Sequence, residues 1–165
     1  MKYKVIDNFL EKTFFDKFKN LLFSEEFTWF FKEHMTDLNQ DDSFFAHCFY
    51  NDNVPKSIFF KDFIPPIIKK LNMASIVEIR ANLNLNKNKK YSSRFHVDRI
   101  YKCKTAILYL NTCNGYTEIE YNKKLIKINS VENRILIFDS NTVHRGVNQT
   151  DTERRIVLNM NYFSK

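Results

Sequence analysis

The stretch NRILIFDSNTVHRG, residues 133–146, read together with RFHVD, residues 94–98, decides the fold. Arg134–Asp139 is a short apolar run with β-branched residues and reads as a strand. His144 follows at the strand end or in the turn before Gly146. Upstream, His96 and Asp98 sit two positions apart near the end of another strand, where period-2 geometry points both side chains to one face. Two imidazoles and one carboxylate on a rigid scaffold can hold one face of an Fe(II) ion and leave the other open to substrate and O2. Each residue alone is a weak signal. Together with an arginine on a terminal strand they make a strong one.

That strand is RRIVLNMNYF, residues 154–163. Ile156, Leu158, Met160 and Tyr162 form one apolar face, suited to packing on helices. Arg155, Val157, Asn159 and Asn161 form the other, facing a polar cavity. Strand parity therefore makes Arg155, not Arg154, the inward cation. A carboxylate cosubstrate needs a cation at its far end, and the guanidinium fork fits it best. In Cys103–Asn111, Thr105, Ile107 and Tyr109 share a face. If that face looks inward, the Tyr109 hydroxyl reaches the same carboxylate. If not, Tyr109 is an ordinary core tyrosine. In Ile79–Leu85, Asn82 and Asn84 share a face with Arg80, which reads either as cavity lining or as an exposed edge. Thr105 and Asn84 join Arg155 and Tyr109 as candidate cosubstrate-binding residues.

Working outward, residues 75–85, 94–98, 103–111, 117–121, 124–129, 134–139 and 154–163 all read as strands. Turns such as Asn114-Gly115 and Tyr121–Lys124 separate them. Many short strands without intervening helices suggest a sandwich or barrel. Residues 10–23 place Leu10, Phe14, Phe18, Leu21 and Leu22 at helical spacing, with Thr13 and Asp16 in the first turn. Residues 56–71 read as helical, with Pro65-Pro66 restarting the helix. His34 and His47, in this N-terminal third, have no ligand-like partner at useful spacing and read as structural. The pairs Phe30-Phe31, Phe44-Phe45 and Phe59-Phe60 read as core.

The chain of 165 residues is expected to form one domain, with a helical support region at 1–73 and a β core at 74–165. Its hydrophobic share of 44% and seventeen Phe argue for a packed globule. Gly115 and Gly146 are its two glycines, so no Gly-rich phosphate loop exists, which removes Rossmann and P-loop readings. No apolar run reaches membrane-spanning length and the N-terminus lacks a signal-like apolar segment. A cytoplasmic location is expected, the host cytoplasm if the protein is viral. Cys48, Cys103 and Cys113 are expected as free thiols. The net charge is +7, and the span from Lys87 to Lys104 alone holds seven cations against Asp98. This reads either as a solvated lysine-rich loop or as a rim that attracts an anionic substrate.

On these motifs the chain resembles the Fe(II)/2-oxoglutarate-dependent dioxygenase superfamily, in its prolyl-4-hydroxylase-like branch and among the short members of phages and bacteria. IRANLNL, FHVD, TAILYLN, NGYTEIEY, NRILIFDSNTVHRG and RRIVLNMNYF follow in family order. The resemblance implies a double-stranded β-helix, or jelly roll, behind N-terminal helices. It implies Fe(II) on His96, Asp98 and His144, and 2-oxoglutarate on Arg155 with help from Tyr109. The implied reaction consumes 2-oxoglutarate and O2, releases succinate and CO2, and hydroxylates a substrate C–H bond, with ascorbate as an in vitro additive. A peptidyl residue such as proline, or a free amino acid, is the first substrate reading. A nucleic-acid hydroxylase or demethylase is the second, supported only by the cationic segment. A non-catalytic cupin-like metal-binding module is the third, and it would not need Arg155 or Tyr109. One departure stands out: where the family carries paired glycines after YLN, this chain has Asn114-Gly115-Tyr116.

Overall fold

A computed structural model describes residues 3–33 and 43–165. The elements run β1 (Lys4–Ile6), α1 (Lys12–Phe23), β2 (Phe30–Lys32), β3 (Phe44–Asn51), β4 (Val54–Pro55), α2 (Phe60–Lys70), β5 (Met73–Leu85), β6 (Lys104–Tyr109), β7 (Tyr116–Tyr121), β8 (Lys124–Asn129), β9 (Ile135–Asp139), β10 (His144–Val147) and β11 (Arg154–Ser164). A large antiparallel sheet has the order β1-β9-β6-β11-β5-β3-β2, with β4 on β3. A small sheet, β10-β7-β8, faces it.

Strand alternation divides the core in two. Outward from the large sheet, Ile79, Ala81, Leu83, Leu108, Ile156, Leu158 and Met160 pack against Phe15, Phe18 and Leu22 of α1 and Ile64 and Ile67 of α2. Inward, Ile107, Tyr109, Leu136, Phe138 and Val157 meet Ile119 and Ile128 of the small sheet. Each interior aliphatic of this kind contributes about 2–5 kcal/mol against truncation to Ala. The alternation read in residues 154–163 is therefore the observed one. Beyond the inner apolar cluster, the sheets enclose the polar cavity described below.

Three sequence expectations change. The N-terminal third is not simply helical. FFAHCFYN forms β3, which extends the large sheet by pairing with β5. Its aromatic residues suit a strand covered on both faces, and such a strand lacks a clean alternation. Residues 94–98 do not form a regular strand. They run extended and touch the small sheet through the isolated bridge of His96 with His144, just after a second one of Ser92 with Val147. Phe30 and Phe31 are 56% and 58% exposed, because β2 is an edge strand, so this pair is not core. The helices also differ in detail. Glu11 caps α1, its carboxylate accepting from the Thr13 and Phe14 amides, both at 2.9 Å. α2 begins at Phe60 and runs through Pro65-Pro66 without restarting.

His47 is structural as expected: Nδ1 bonds the Thr28 carbonyl at 2.7 Å and Nε2 bonds Ser57 Oγ at 2.8 Å. His34 lies outside the described residues. Cys48, Cys103 and Cys113 are free. Among the described residues no helix is long and apolar enough to cross a membrane.

Candidate active site

The two histidines meet through the backbone. His96 and His144 exchange both amide-to-carbonyl bonds at 2.9 Å, a closely spaced antiparallel pair that puts their rings 4.4 Å apart. Each ring is then oriented from behind. Nδ1 of His96 donates to the Arg94 carbonyl and Nδ1 of His144 to the Thr142 carbonyl, both at 3.0 Å. A carbonyl only accepts, so the proton sits on Nδ1 and the Nε2 lone pair is free for a metal. Both Nε2 atoms point to Asp98 Oδ1, at 3.8 Å from His96 and 3.5 Å from His144.

The other oxygen of Asp98 is held by the large sheet. Oδ2 accepts from Thr105 Oγ1 and Asn161 Nδ2, each at 2.9 Å, with Asn159 Nδ2 at 3.5 Å. One oxygen is anchored and one is free, which is what a single-oxygen ligand needs. Burial alone would push this carboxyl up. With no metal present, a proton on His144 Nε2, together with the Asn161 and Thr105 donors, outweighs burial and holds Asp98 well below the usual carboxylate range. His96 is pushed down by burial first, and further by His144 whenever that ring is protonated. The three donor atoms lie within 4.8 Å of one another. Metal bonds of about 2 Å need donors roughly 3–4 Å apart, so this set fits a divalent ion with little movement.

A cavity of about 200 Å³ opens from the triad between the two sheets. At its inner end lies Arg155, 4% exposed, paired across the sheet with Asn84. Its Nε donates to Ser130 Oγ at 2.7 Å and its Nη2 to Thr117 Oγ1 at 3.3 Å. The guanidinium lies 5.5 Å from the Tyr109 ring centre. Burial pulls its pKa down. Among the described residues no carboxylate pairs with it. A buried cation without a counter-charge is costly, and an anion entering the cavity would supply one. Arg154, by contrast, points away and covers the Phe23 ring at 5.1 Å.

Both glycines serve this cavity. A Cβ on Gly115 would lie 2.8 Å from Arg155 Cδ, so only glycine lets the arginine pass. Gly146 lines the cavity, and a Cβ there would meet nothing within 4 Å.

Asn84 lines the cavity and pairs across the sheet with Arg155. Two other expectations are corrected. Tyr109 is fully buried behind Arg155, and its hydroxyl donates to Thr117 Oγ1 at 2.8 Å instead of reaching the cavity. Thr105 is spent on Asp98 and Asn161, and its hydroxyl does not line the cavity. Sequence reading missed Thr117, Ser130 and Gly115. The two hydroxyls carry no motif. Gly115 was visible as one of two glycines, but its partner Arg155 lies far along the chain. The cationic span is also partly neutralised, since Arg99 bonds Glu78 and Lys104 bonds Asp139, both at 2.6 Å.

No protein-family model matches the chain, and no curated protein matches it significantly. Solved structures do match, along nearly its whole length. A prolyl-4-hydroxylase from Pseudomonas putida has a TM-score of 0.69 at 12% identity, covering 99% of this chain and 92% of its own. A prolyl hydroxylase from Trichoplax adhaerens, in complex with a hypoxia-inducible factor peptide fragment, has a TM-score of 0.66 at 17% identity, covering 98% and 83%. The epimerase SnoN, in complex with Fe3+, α-ketoglutarate and nogalamycin RO, has 0.64 at 12%, covering 98% and 78%. The fold is thus the jelly roll of the 2-oxoglutarate- and iron-dependent oxygenases, prolyl hydroxylases among them.

Proposed function

We propose that the protein is an Fe(II)- and 2-oxoglutarate-dependent oxygenase that hydroxylates a C–H bond of a small acid, amino acid or peptidyl residue. The observation that carries this is the pairing of two features in one cavity. His96, Asp98 and His144 present a three-donor face, and Arg155 offers a buried cation that has no carboxylate partner among the described residues. A cupin-like metal module would have no use for the second.

Bound Fe(II), with 2-oxoglutarate and O2, would supply oxidative decarboxylation to succinate and CO2 and deliver the second oxygen atom to the substrate. The residues of this chain set the conditions. His96 and His144 hold their Nε2 lone pairs toward the metal position because backbone carbonyls fix their tautomers. Thr105 and Asn161 keep Asp98 ionised and turn a single oxygen inward. Arg155, steered by Ser130 and Thr117, receives the distal carboxylate of the cosubstrate, and Asn84 flanks it. The apolar walls Ile107, Val147 and Val157 exclude water from the chain between the two ends. The three free thiols support a reducing, cytoplasmic compartment. The test is isothermal titration with Mn(II) and then 2-oxoglutarate. The expected result is one site for each, with 2-oxoglutarate binding lost in Arg155→Ala.

A further inference from the structure

Two arginines line the cavity from the inner face of the large sheet, and the cosubstrate needs one. Arg80 sits on β5 opposite Asn159 of β11, in the same register series that pairs Asn84 with Arg155. The guanidiniums are therefore separated along the strands. Arg155 is at the sealed end, while the Arg80 side chain is 35% exposed, at the mouth.

Arg80 is positioned but not satisfied. Its Nε donates to Asn82 Oδ1 at 2.9 Å, and its guanidinium carbon stands 5.8 Å from the Phe44 ring centre. Its nearest acid, Glu78, is 3.6 Å from Nη1, beyond hydrogen-bond length. Glu78 is already bonded by Arg99 at 2.6 Å. Among the described residues the Nη1 and Nη2 hydrogens of Arg80 have no acceptor.

Charge balance points the same way. With Fe(II) doubly positive and 2-oxoglutarate doubly negative, Asp98 offsets Arg155 and Glu78 offsets Arg99. Arg80 remains, so among the described residues the loaded cavity holds one uncompensated positive charge. The cavity is also small, about 200 Å³, against roughly 300–1,000 Å³ for pockets that enclose a whole drug-sized ligand. Once the cosubstrate is seated, only one end of a substrate fits inside.

We propose that Arg80 is the substrate-binding cation, and that its Nη hydrogens receive a carboxylate carried by the substrate next to the C–H bond to be oxidised. The proposal rests on the oxygenase reading of the site and names its substrate class: a small carboxylic acid, such as an amino acid with its carboxylate free.

The test is ligand-observed NMR on protein loaded with Mn(II) and saturating 2-oxoglutarate. Acetate is the anionic probe and acetamide its neutral counterpart, and Mn(II) broadens the protons of whatever binds beside it. Wild type should broaden acetate saturably and acetamide far less. Arg80→Gln should weaken acetate binding by about tenfold or more, the loss expected for a charge-assisted pair, and Arg80→Lys should lose less. Glycine should displace acetate; if triglycine does so too, a peptide C-terminus is admitted as a source of the carboxylate, and displacement by neither contradicts the assignment. Equal broadening of acetate and acetamide in wild type, or full acetate binding in Arg80→Gln, overturns it. If Arg80→Gln does not fold, the wild-type pair and Arg80→Lys decide the matter. Failure of wild type to broaden the 2-oxoglutarate protons instead overturns the oxygenase reading itself.

Discussion

Replacing Gly115 by Ala should weaken cosubstrate binding by displacing Arg155, with every residue that contacts the cosubstrate left in place in the sequence. The new Cβ would lie 2.8 Å from Arg155 Cδ, 3.1 Å from the Val147 carbonyl oxygen and 3.2 Å from the Gln149 amide nitrogen. The last two are backbone atoms and cannot retreat cheaply. Carbon atoms rest at about 3.5–4.0 Å, so Arg155 must shift by roughly 0.7–1.2 Å. It cannot do so freely, because Ser130 and Thr117 hold its head. Overpacking of this kind costs about 1–3 kcal/mol, which for a domain of this size lowers Tm by roughly 2–12 °C. A misplacement near 1 Å can cost about a hundredfold in function, so 2-oxoglutarate affinity should fall about tenfold to a hundredfold. Calorimetric titration in the presence of Mn(II) reads the affinity, and a thermal melt reads the stability. Gly146→Ala is the control for stability, since its Cβ enters open space, and its Tm should match wild type. Wild-type 2-oxoglutarate affinity in a folded Gly115→Ala protein would refute the seating of the cosubstrate on Arg155.

Other substitutions separate the remaining parts. Asp98→Ala should abolish detectable Mn(II) binding, read by titration, because it removes the donor both imidazoles face. Thr105→Val should weaken Mn(II) about tenfold or more through loss of a bond to Asp98. Arg154→Ala should leave 2-oxoglutarate affinity near wild type and cost about 1 kcal/mol, the half-buried cation–π contact with Phe23. Stability should depend on pH through His47, whose pKa burial lowers from 6.5. The folded state then binds the proton less readily than the unfolded state. Stability is complete above about 6.5 and declines as pH falls below it. Urea unfolding of Mn(II)-loaded protein at two pH values should show this slope, flattened in His47→Gln.

Much of the site was legible because strand parity is a strict rule. Alternation in residues 154–163 separated Arg155 from Arg154, and the same rule placed Asn159 and Asn161 inward, where they meet Asp98. The spacing of His96 and Asp98 pointed to the three-donor cluster that the fold brings together, although the segment carrying them is extended chain and not a strand. Local pattern failed where the deciding contact is remote. β3 has no clean period because both its faces are covered. Thr105 and Tyr109 lie on the inward face, but a strand pattern cannot say whether a hydroxyl meets a ligand or a neighbour. Here Asp98 and Thr117 take those hydroxyls. Arg80 was readable as a polar position on β5, while its unmet hydrogens depend on Glu78 being held by Arg99 from another segment.

The most direct test of the account is succinate formation from 2-oxoglutarate by the purified protein in air with Fe(II) and ascorbate. Wild type should release succinate, slowly without substrate and faster with the right acid, while Asp98→Ala and Arg155→Ala release none above background. Absence of succinate from wild-type protein that demonstrably binds both metal and 2-oxoglutarate, or equal release by Asp98→Ala, would contradict it.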